Sequence, residues 1–365
     1  MMWRIIRPDA FTVFEDPHVS QSLARYLGIV RGKNLSKFLI SRSIKVDFDY
    51  ASPEEELWKI HSKCLEEYSE IEHDFDKGRR NFKDMEKGTS FLDLKIELAR
   101  RIMKSCHFCV RRCGVDRLEG HKGYCKCGRE LNVSSFFAHM GEEPELVPSG
   151  TVFTCGCSMR CIICQNWEIS QWTESGTLYT PQEMGRVIVS LKNNGCRNLN
   201  MVGGDPTPNC WLWLRTMREV EVNIATVWNS NSYYSQETAE LLAGFIDVYL
   251  LDFKYGCNEH AEEISDAPMY WEAATRNHLM AKKYGELIVR VLVLPGHNEC
   301  CTRPIIEWIV ENLGIDTRVN LMFQYRPEWR ANERPELRRR LTREEINEAI
   351  DISKEFGLIN IVRDI

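Results

Sequence analysis

The sequence predicts a mixed α/β fold: a partial (β/α)6 TIM-type barrel, preceded by an N-terminal helical extension and a small cysteine-rich metal module. Three observations predict it. From Gly150 onward, short apolar runs rich in β-branched residues alternate with helical segments, the pattern of a parallel sheet buried on both faces. Two of those helical segments open on complete start signals. Nine of the fifteen cysteines crowd between Cys106 and Cys164, in two tight groups.

The strand candidates are TVFT from Thr151, NLNMV from Asn198, IATVW from Ile224, DVYLLDF from Asp247, LIVRVLVL from Leu287 and VNLMFQY from Val319. Thr180-Pro181-Gln182-Glu183 starts one intervening helix with an N-cap, a proline at its first position and a capping-box glutamate. Thr342 and Glu345 form a capping box at the start of another. Six such units make an incomplete barrel over residues 150–365, with its chemistry at the carboxyl ends of the strands. Upstream, residues 1–104 form an extension that is mostly helical. Its apolar periodicity runs through Leu57, Ile60 and Cys64, and again through Phe91, Leu92, Leu94, Ile96 and Leu98. The charged, glycine-punctuated stretch at 73–88 is expected to be an exposed loop. Residues 1 to about 50 carry no motif.

Composition narrows the partners. A formal net charge of −6 supplies no attraction for nucleic acid or an anionic membrane. Apolar stretches such as Ile288–Leu294 are too short to span a bilayer. The first residues lack the apolar core of a secretory signal, so a cytoplasmic location is expected. In a reducing compartment, dense cysteines at short spacing bind metal more often than they pair. The six scattered cysteines suit burial as small apolar side chains.

The first strand runs directly into Cys157-Ser-Met-Arg-Cys161-Ile-Ile-Cys164. Three thiolates at this spacing wrap one corner of a cubane [4Fe–4S] cluster and leave the fourth iron without a protein ligand, whereas an electron-transfer cluster closes its coordination with four. An open iron at a barrel mouth is where a substrate binds.

This motif resembles that of the radical S-adenosylmethionine (SAM) superfamily, whose open iron chelates the amino and carboxylate groups of SAM. From Ser105 onward the chain is similar to the pyruvate formate-lyase activating enzyme-like proteins, through Gly141-Glu-Glu-Pro144, CIICQNWEIS, MVGGDPTPN, VYLLDFKYG, VLVLPGHNECC and FQYRPEW. The resemblance implies a SAM pocket. Gly203, Gly204 and Asp205 end the second strand, where glycines permit close approach to a ligand and a carboxylate accepts from the SAM ammonium. The family usually carries glutamate in this phrase, so Asp205 is a shorter variant. Asn229 and Asn231 are candidates for the ribose hydroxyls. Lys254 matches a lysine that meets the SAM carboxylate, and Asp252 an aspartate that helps hold a monovalent cation. Arg290 and His297 bracket the fifth strand as further candidates.

The module at 105–130 supplies Cys106, Cys109, Cys113 and Cys125 as the expected ligands of a second metal, with Cys127 beside them. The spacing fits a metal knuckle, either zinc or a second iron–sulfur cluster. His107 and His121 sit at poor ligand spacing and are expected at the surface. Together these readings imply an oxidoreductase-type radical enzyme acting on a protein or peptide, with a small electron donor such as ferredoxin or flavodoxin. A cobalamin-dependent methyltransferase is the alternative, in which Trp211, Trp213, Trp228, Tyr233, Tyr234 and Trp329 wall a planar cofactor rather than build the core. A non-enzymatic iron–sulfur carrier is the other rival, and it would need no SAM pocket.

Overall fold

The computed structural model describes residues 3–82, 88–171 and 176–364. One sheet of nine strands organises them: β1 Leu131–His139, β2 Ser149–Thr154, β3 Thr177–Tyr179, β4 Asn198–Gly203, β5 Ala225–Ser230, β6 Val248–Asp252, β7 Glu286–Leu292, β8 Arg318–Met322 and β9 Ile361–Asp364. Their spatial order is β3-β1-β2-β4-β5-β6-β7-β8-β9. All six expected strands are present as β2 and β4 to β8, and they pair in parallel in chain order. This is the partial barrel that the alternating pattern implies. The sheet extends beyond the six units on both sides. β9 adds a parallel strand of only four residues, and β1 and β3 add an antiparallel flank. β1 was not legible because its middle residues, Ser134 to Ala138, are exposed and give no buried alternation.

Capping chemistry works as its residue types dictate. Thr180 and Thr342 each accept from the backbone N–H three residues on, and Glu183 and Glu345 each accept from the threonine's own N–H. The helices Pro181–Asn193 and Arg343–Glu355 therefore start where those signals stand.

The helices Ala24–Val30, Lys37–Ser43, Glu54–Asp76 and Phe91–Lys104 pack onto the barrel or onto one another. The helix Phe91–Lys104 begins with a Ser90–Asp93 capping box and buries Leu94, Leu98 and Ile102. The helix Glu54–Asp76 runs four residues into the segment expected to be a loop. Phe75 lies one turn beyond buried Ile71 and packs on the same core, so the apolar stripe carries the helix onward. Residues 77–81 are exposed, and 83–87 lie outside the described residues.

The first fifty residues, without motif, have a definite place. Val19, Leu23, Tyr26 and Ile29 form a second apolar cluster with Ala225, Val227, Val248, Leu250 and Ile288 on β5, β6 and β7. Their strand neighbours Trp228, Tyr249, Leu251 and Val289 face the other way, into the main core. Glu286, the first residue of β7, accepts the backbone N–H groups of Arg25 and Tyr26 at 2.7 Å each. These helices thus close the barrel at the amino ends of its strands and leave the carboxyl ends for the cysteine loop. No helix among the described residues is long and apolar enough to cross a membrane.

Candidate active site

The loop after β2 carries Cys157, Cys161 and Cys164, and the surrounding backbone holds it on several sides. Arg160 and Ile162 donate their N–H groups to the carbonyls of Ser265 and Ile264, at 2.8 and 2.9 Å. Arg330 N–H donates to the carbonyl of Ile162 at 2.9 Å. Cys157 is buried, whereas Cys161 and Cys164 are partly exposed, and all three thiols are free. The Cys157 sulfur accepts from the Met159 N–H at 3.4 Å and from the Asn231 side-chain amide at 3.5 Å. Burial, followed by the nearby Asp205 and Cys161, holds the Cys157 thiol well above its ordinary pKa. Burial and Cys164 push Cys161 up to about 11, with Lys254 acting in the opposite direction. The sulfurs are thus in electrostatic reach of one another, with those of Cys157 and Cys161 desolvated and that of Cys157 provided with N–H donors. That is the donor chemistry of a thiolate-held cluster, whose irons supply the missing positive charge.

The glycines of the second phrase serve the protein itself. A Cβ at Gly203 would lie 2.0 Å from the Thr154 carbonyl oxygen, and one at Gly204 would lie 2.3 Å from the Gly156 carbonyl oxygen. Glycine is required there because the end of β4 lies directly against the cysteine loop. Gly156, at φ +90°, has the same role: its Cβ would meet the Cys127 sulfur at 2.3 Å. Asp205 is fully buried, and both of its oxygens are engaged. It accepts from Thr207 N–H at 2.9 Å, from Ser230 Oγ at 3.0 Å and from Asn231 N–H at 2.9 Å. In this structure it ties β4 to the turn after β5 and orients Asn231.

Lys254 and Asp252 form an ion pair at the end of β6. Burial works against the lysine's charge, but Asp252 and the Cys161 thiol outweigh it and raise its pKa above the ordinary value. Lys254, Asp252, Asn231 and the three thiols therefore share the carboxyl end of the barrel. Asn229 accepts from Arg290 at 3.2 Å. His297 lies apart from this group, against His260 with ring centroids 5.1 Å apart.

Arg290 belongs to a network that sequence reasoning missed. Its guanidinium pairs with Glu142 at 2.5 Å and with Glu143 at 2.6 Å. Asn200 on β4 donates to Glu142 at 3.0 Å, and Asn320 on β8 donates to Glu143 at 2.9 Å. Two residues further on, Glu145 pairs with Arg318 at 2.8 Å. The chain from Gly141 to Leu146 thus threads the barrel interior and satisfies polar groups from β4, β7 and β8. The phrase Gly141-Glu-Glu-Pro144 was the available signal, but nothing local says which cations its carboxylates meet.

The upstream module folds without helix or strand between Lys104 and Leu131. Its thiols interact in pairs. The Cys113 thiolate takes a hydrogen bond from Cys106 and is lowered to about 5, and Cys125 takes one from Cys127 and is lowered to about 6. Burial pushes Cys109 up to about 12, and both Cys125 and Cys113 act on it electrostatically. The four expected ligands are therefore neighbours, and Cys127 is a fifth that reaches the cysteine loop, its sulfur 3.4 Å from the Cys155 carbonyl oxygen. His121 is exposed, and His107 bonds the Ser105 carbonyl at 2.7 Å. Of the six aromatics considered as a cofactor wall, Trp211, Trp213, Trp228, Tyr233 and Tyr234 are buried in the main core. Trp329 stacks on Trp167 at 4.3 Å.

Comparison with known proteins agrees with this arrangement. The chain is 43% identical over 343 residues to the uncharacterized protein MJ0674 of Methanocaldococcus jannaschii, covering 92% of this chain and 98% of that one. A second protein of that organism, MJ0808, is 25% identical over 253 residues, covering 63% and 73%. Among solved structures, Streptococcus suis SuiB bound to S-adenosylmethionine is 14% identical with a TM-score of 0.41, covering 57% of this chain and 48% of that one. TYW1 with a lysine-pyruvate adduct bound is also 14% identical, with a TM-score of 0.36 and coverage of 56% and 73%. Those two overlaps are too partial to carry weight. Residues 151–309 match the radical SAM superfamily, and these residues contain the cysteine loop with the strand ends around it. The chain thus carries a radical SAM superfamily match over residues 151–309 and belongs to one family with its Methanocaldococcus jannaschii relative MJ0674.

Proposed function

We propose that this protein is a radical SAM enzyme that abstracts hydrogen from a carbon of a protein or peptide, in the manner of a glycyl-radical activase. The superfamily implies a [4Fe–4S] cluster and SAM. When bound and reduced, that cluster supplies the electron that breaks the S–C5′ bond of SAM and yields a 5′-deoxyadenosyl radical. The carrying observation is the convergence of Cys157, Cys161, Cys164, Asn231, Asp252 and Lys254 at one end of the barrel.

The chain's own groups have distinct tasks in this reading. Cys157, Cys161 and Cys164 would hold the cluster, leaving it an open site for SAM. Asn231 steadies the Cys157 sulfur, and Asp205 steadies Asn231. Lys254, kept charged by Asp252, receives the SAM carboxylate, and Asn229 faces the ribose. Gly203 and Gly204 seat the end of β4 close enough for these groups to converge. Helices at the opposite end close the barrel there, so substrate enters at the cysteine loop and water is excluded elsewhere. Cys106, Cys109, Cys113 and Cys125 hold a structural zinc or a second cluster in contact with that loop through Cys127. The electron arrives from a small ferredoxin or flavodoxin. The burial of five of the six aromatics supports their reading as core over a cobalamin wall.

The test is dithionite-dependent release of 5′-deoxyadenosine from SAM. Replacing Cys157, Cys161 and Cys164 together by alanine should abolish it, and undiminished release would sink the proposal. Incubation of unlabelled SAM with candidate peptides deuterated at carbon then reads the substrate, through transfer of deuterium from peptide to 5′-deoxyadenosine.

A further inference from the structure

Outside the sites above, two distant segments bring histidine and cysteine together. Among the described residues, one set of three ligating side chains has all its donor atoms within 4.8 Å of one another: His260, Cys300 and Cys301. His260 lies in the helix Asn258–Ser265 after β6, and the two cysteines lie in a wide π-type turn, Asn298–Thr302, after β7. Wide turns of this kind concentrate at functional positions. The two segments touch at their backbones, since a Cβ at Gly256 would lie 2.5 Å from the Cys300 carbonyl oxygen.

Two further observations point to a ligand. The Nδ1 atom of His260 is buried and has no hydrogen-bond partner, a state that costs free energy unless something binds there. His297, four-hundredths exposed and in contact with the His260 ring, bonds the Pro295 carbonyl through its Nδ1 at 2.8 Å. Only an N–H can bond a carbonyl, so Nε2 carries the lone pair. This is the arrangement by which proteins aim a histidine at a metal.

We propose that His260, Cys300 and Cys301 bind a zinc ion; His297, whose ring lies beside His260 but outside that set, completes a Cys2His2 shell by turning its Nε2 toward them. Two thiolates and two imidazoles are the mixed nitrogen and sulfur set that zinc prefers in tetrahedral sites. The ion fastens the turn after β7 to the amino end of the helix Asn258–Ser265. The carboxyl end of that same helix accepts the Arg160 and Ile162 N–H groups of the cysteine loop. The zinc is therefore a brace behind the cluster loop, and it is independent of the Cys106 module.

The experiment uses the full chain, purified anaerobically, with zinc per chain measured by elemental analysis and the Cys106 module left intact so that its metal cancels. His260→Ala should hold about one zinc per chain less than the parent, and His260→Cys, which keeps a ligand but loses the ring, should restore it. Cobalt(II) added to zinc-depleted parent should give a thiolate charge-transfer absorption that is weaker in His260→Ala and retained in His260→Cys. Equal zinc in parent and His260→Ala would overturn the assignment. So would a His260→Cys variant that folds, by circular dichroism, yet lacks the ion, or a Cys300–Cys301 disulfide found by mass in the anaerobic parent.

Discussion

Lys254 shows how one side chain is prepared for an anionic ligand. Its charge is desolvated but held by Asp252, so an arriving carboxylate meets a cation that is already paid for by its neighbour. Lys254→Ala should leave iron content unchanged and weaken SAM binding by roughly 1.5–3 kcal/mol, the range for a hydrogen bond to a charged group. Calorimetry on reconstituted protein checks this, and wild-type affinity in the variant would remove Lys254 from the pocket. Lys95 is prepared in the opposite sense. Its amine is buried 2.9 Å from His61 Nε2 and donates to the Ala243 carbonyl at 2.7 Å, with no ion pair to a carboxylate among the described residues. Burial lowers its pKa from 10.5 to about 7. Unfolded, the amine binds a proton below the higher value; folded, only below the lower one. Between them the unfolded chain binds more protons, so stability rises with pH across that window. Thermal melts should show this rise in the parent and a flatter profile in Lys95→Met; equal slopes would assign the effect to other groups.

Among the elements, the cysteine loop depends most on backbone that tolerates no side chain. Gly156 combines φ +90° with contacts to Cys127 and Cys125 that a Cβ would violate. Gly156→Ala should therefore lower iron per chain after reconstitution by displacing the loop, while far-ultraviolet circular dichroism stays close to that of the parent. Unchanged iron content would show that the loop can shift without losing its cluster. The triplet's place on the loop that leaves the first barrel strand was legible from the sequence alone. The use of Gly203 and Gly204 was not, because a glycine in sequence does not reveal whether a ligand or another strand approaches it.

Across the whole molecule, the amino-terminal helices and the cysteine loop occupy opposite ends of the barrel. Leu23 is fully buried beneath β5, β6 and β7 and marks the closure. Leu23→Ala should destabilise the chain by about 2–5 kcal/mol, the range for such a cavity, as read from denaturant midpoints. A change under about 0.5 kcal/mol, typical of surface positions, would mean that the helices dock loosely.

Strand segments, helix starts and the close spacing of Cys157, Cys161 and Cys164 were determined by the sequence itself, because periodicity, capping and short cysteine spacing act between near neighbours. Only the tertiary structure decided that Glu142 and Glu143 meet Arg290, that Asp205 spends both oxygens on the protein, and that residues 17–30 plug the barrel. The same holds for His260 beside Cys300 and Cys301. Each of these pairings crosses between elements distant in the chain, and its partner is chosen by sheet register and strand order, which no local pattern encodes.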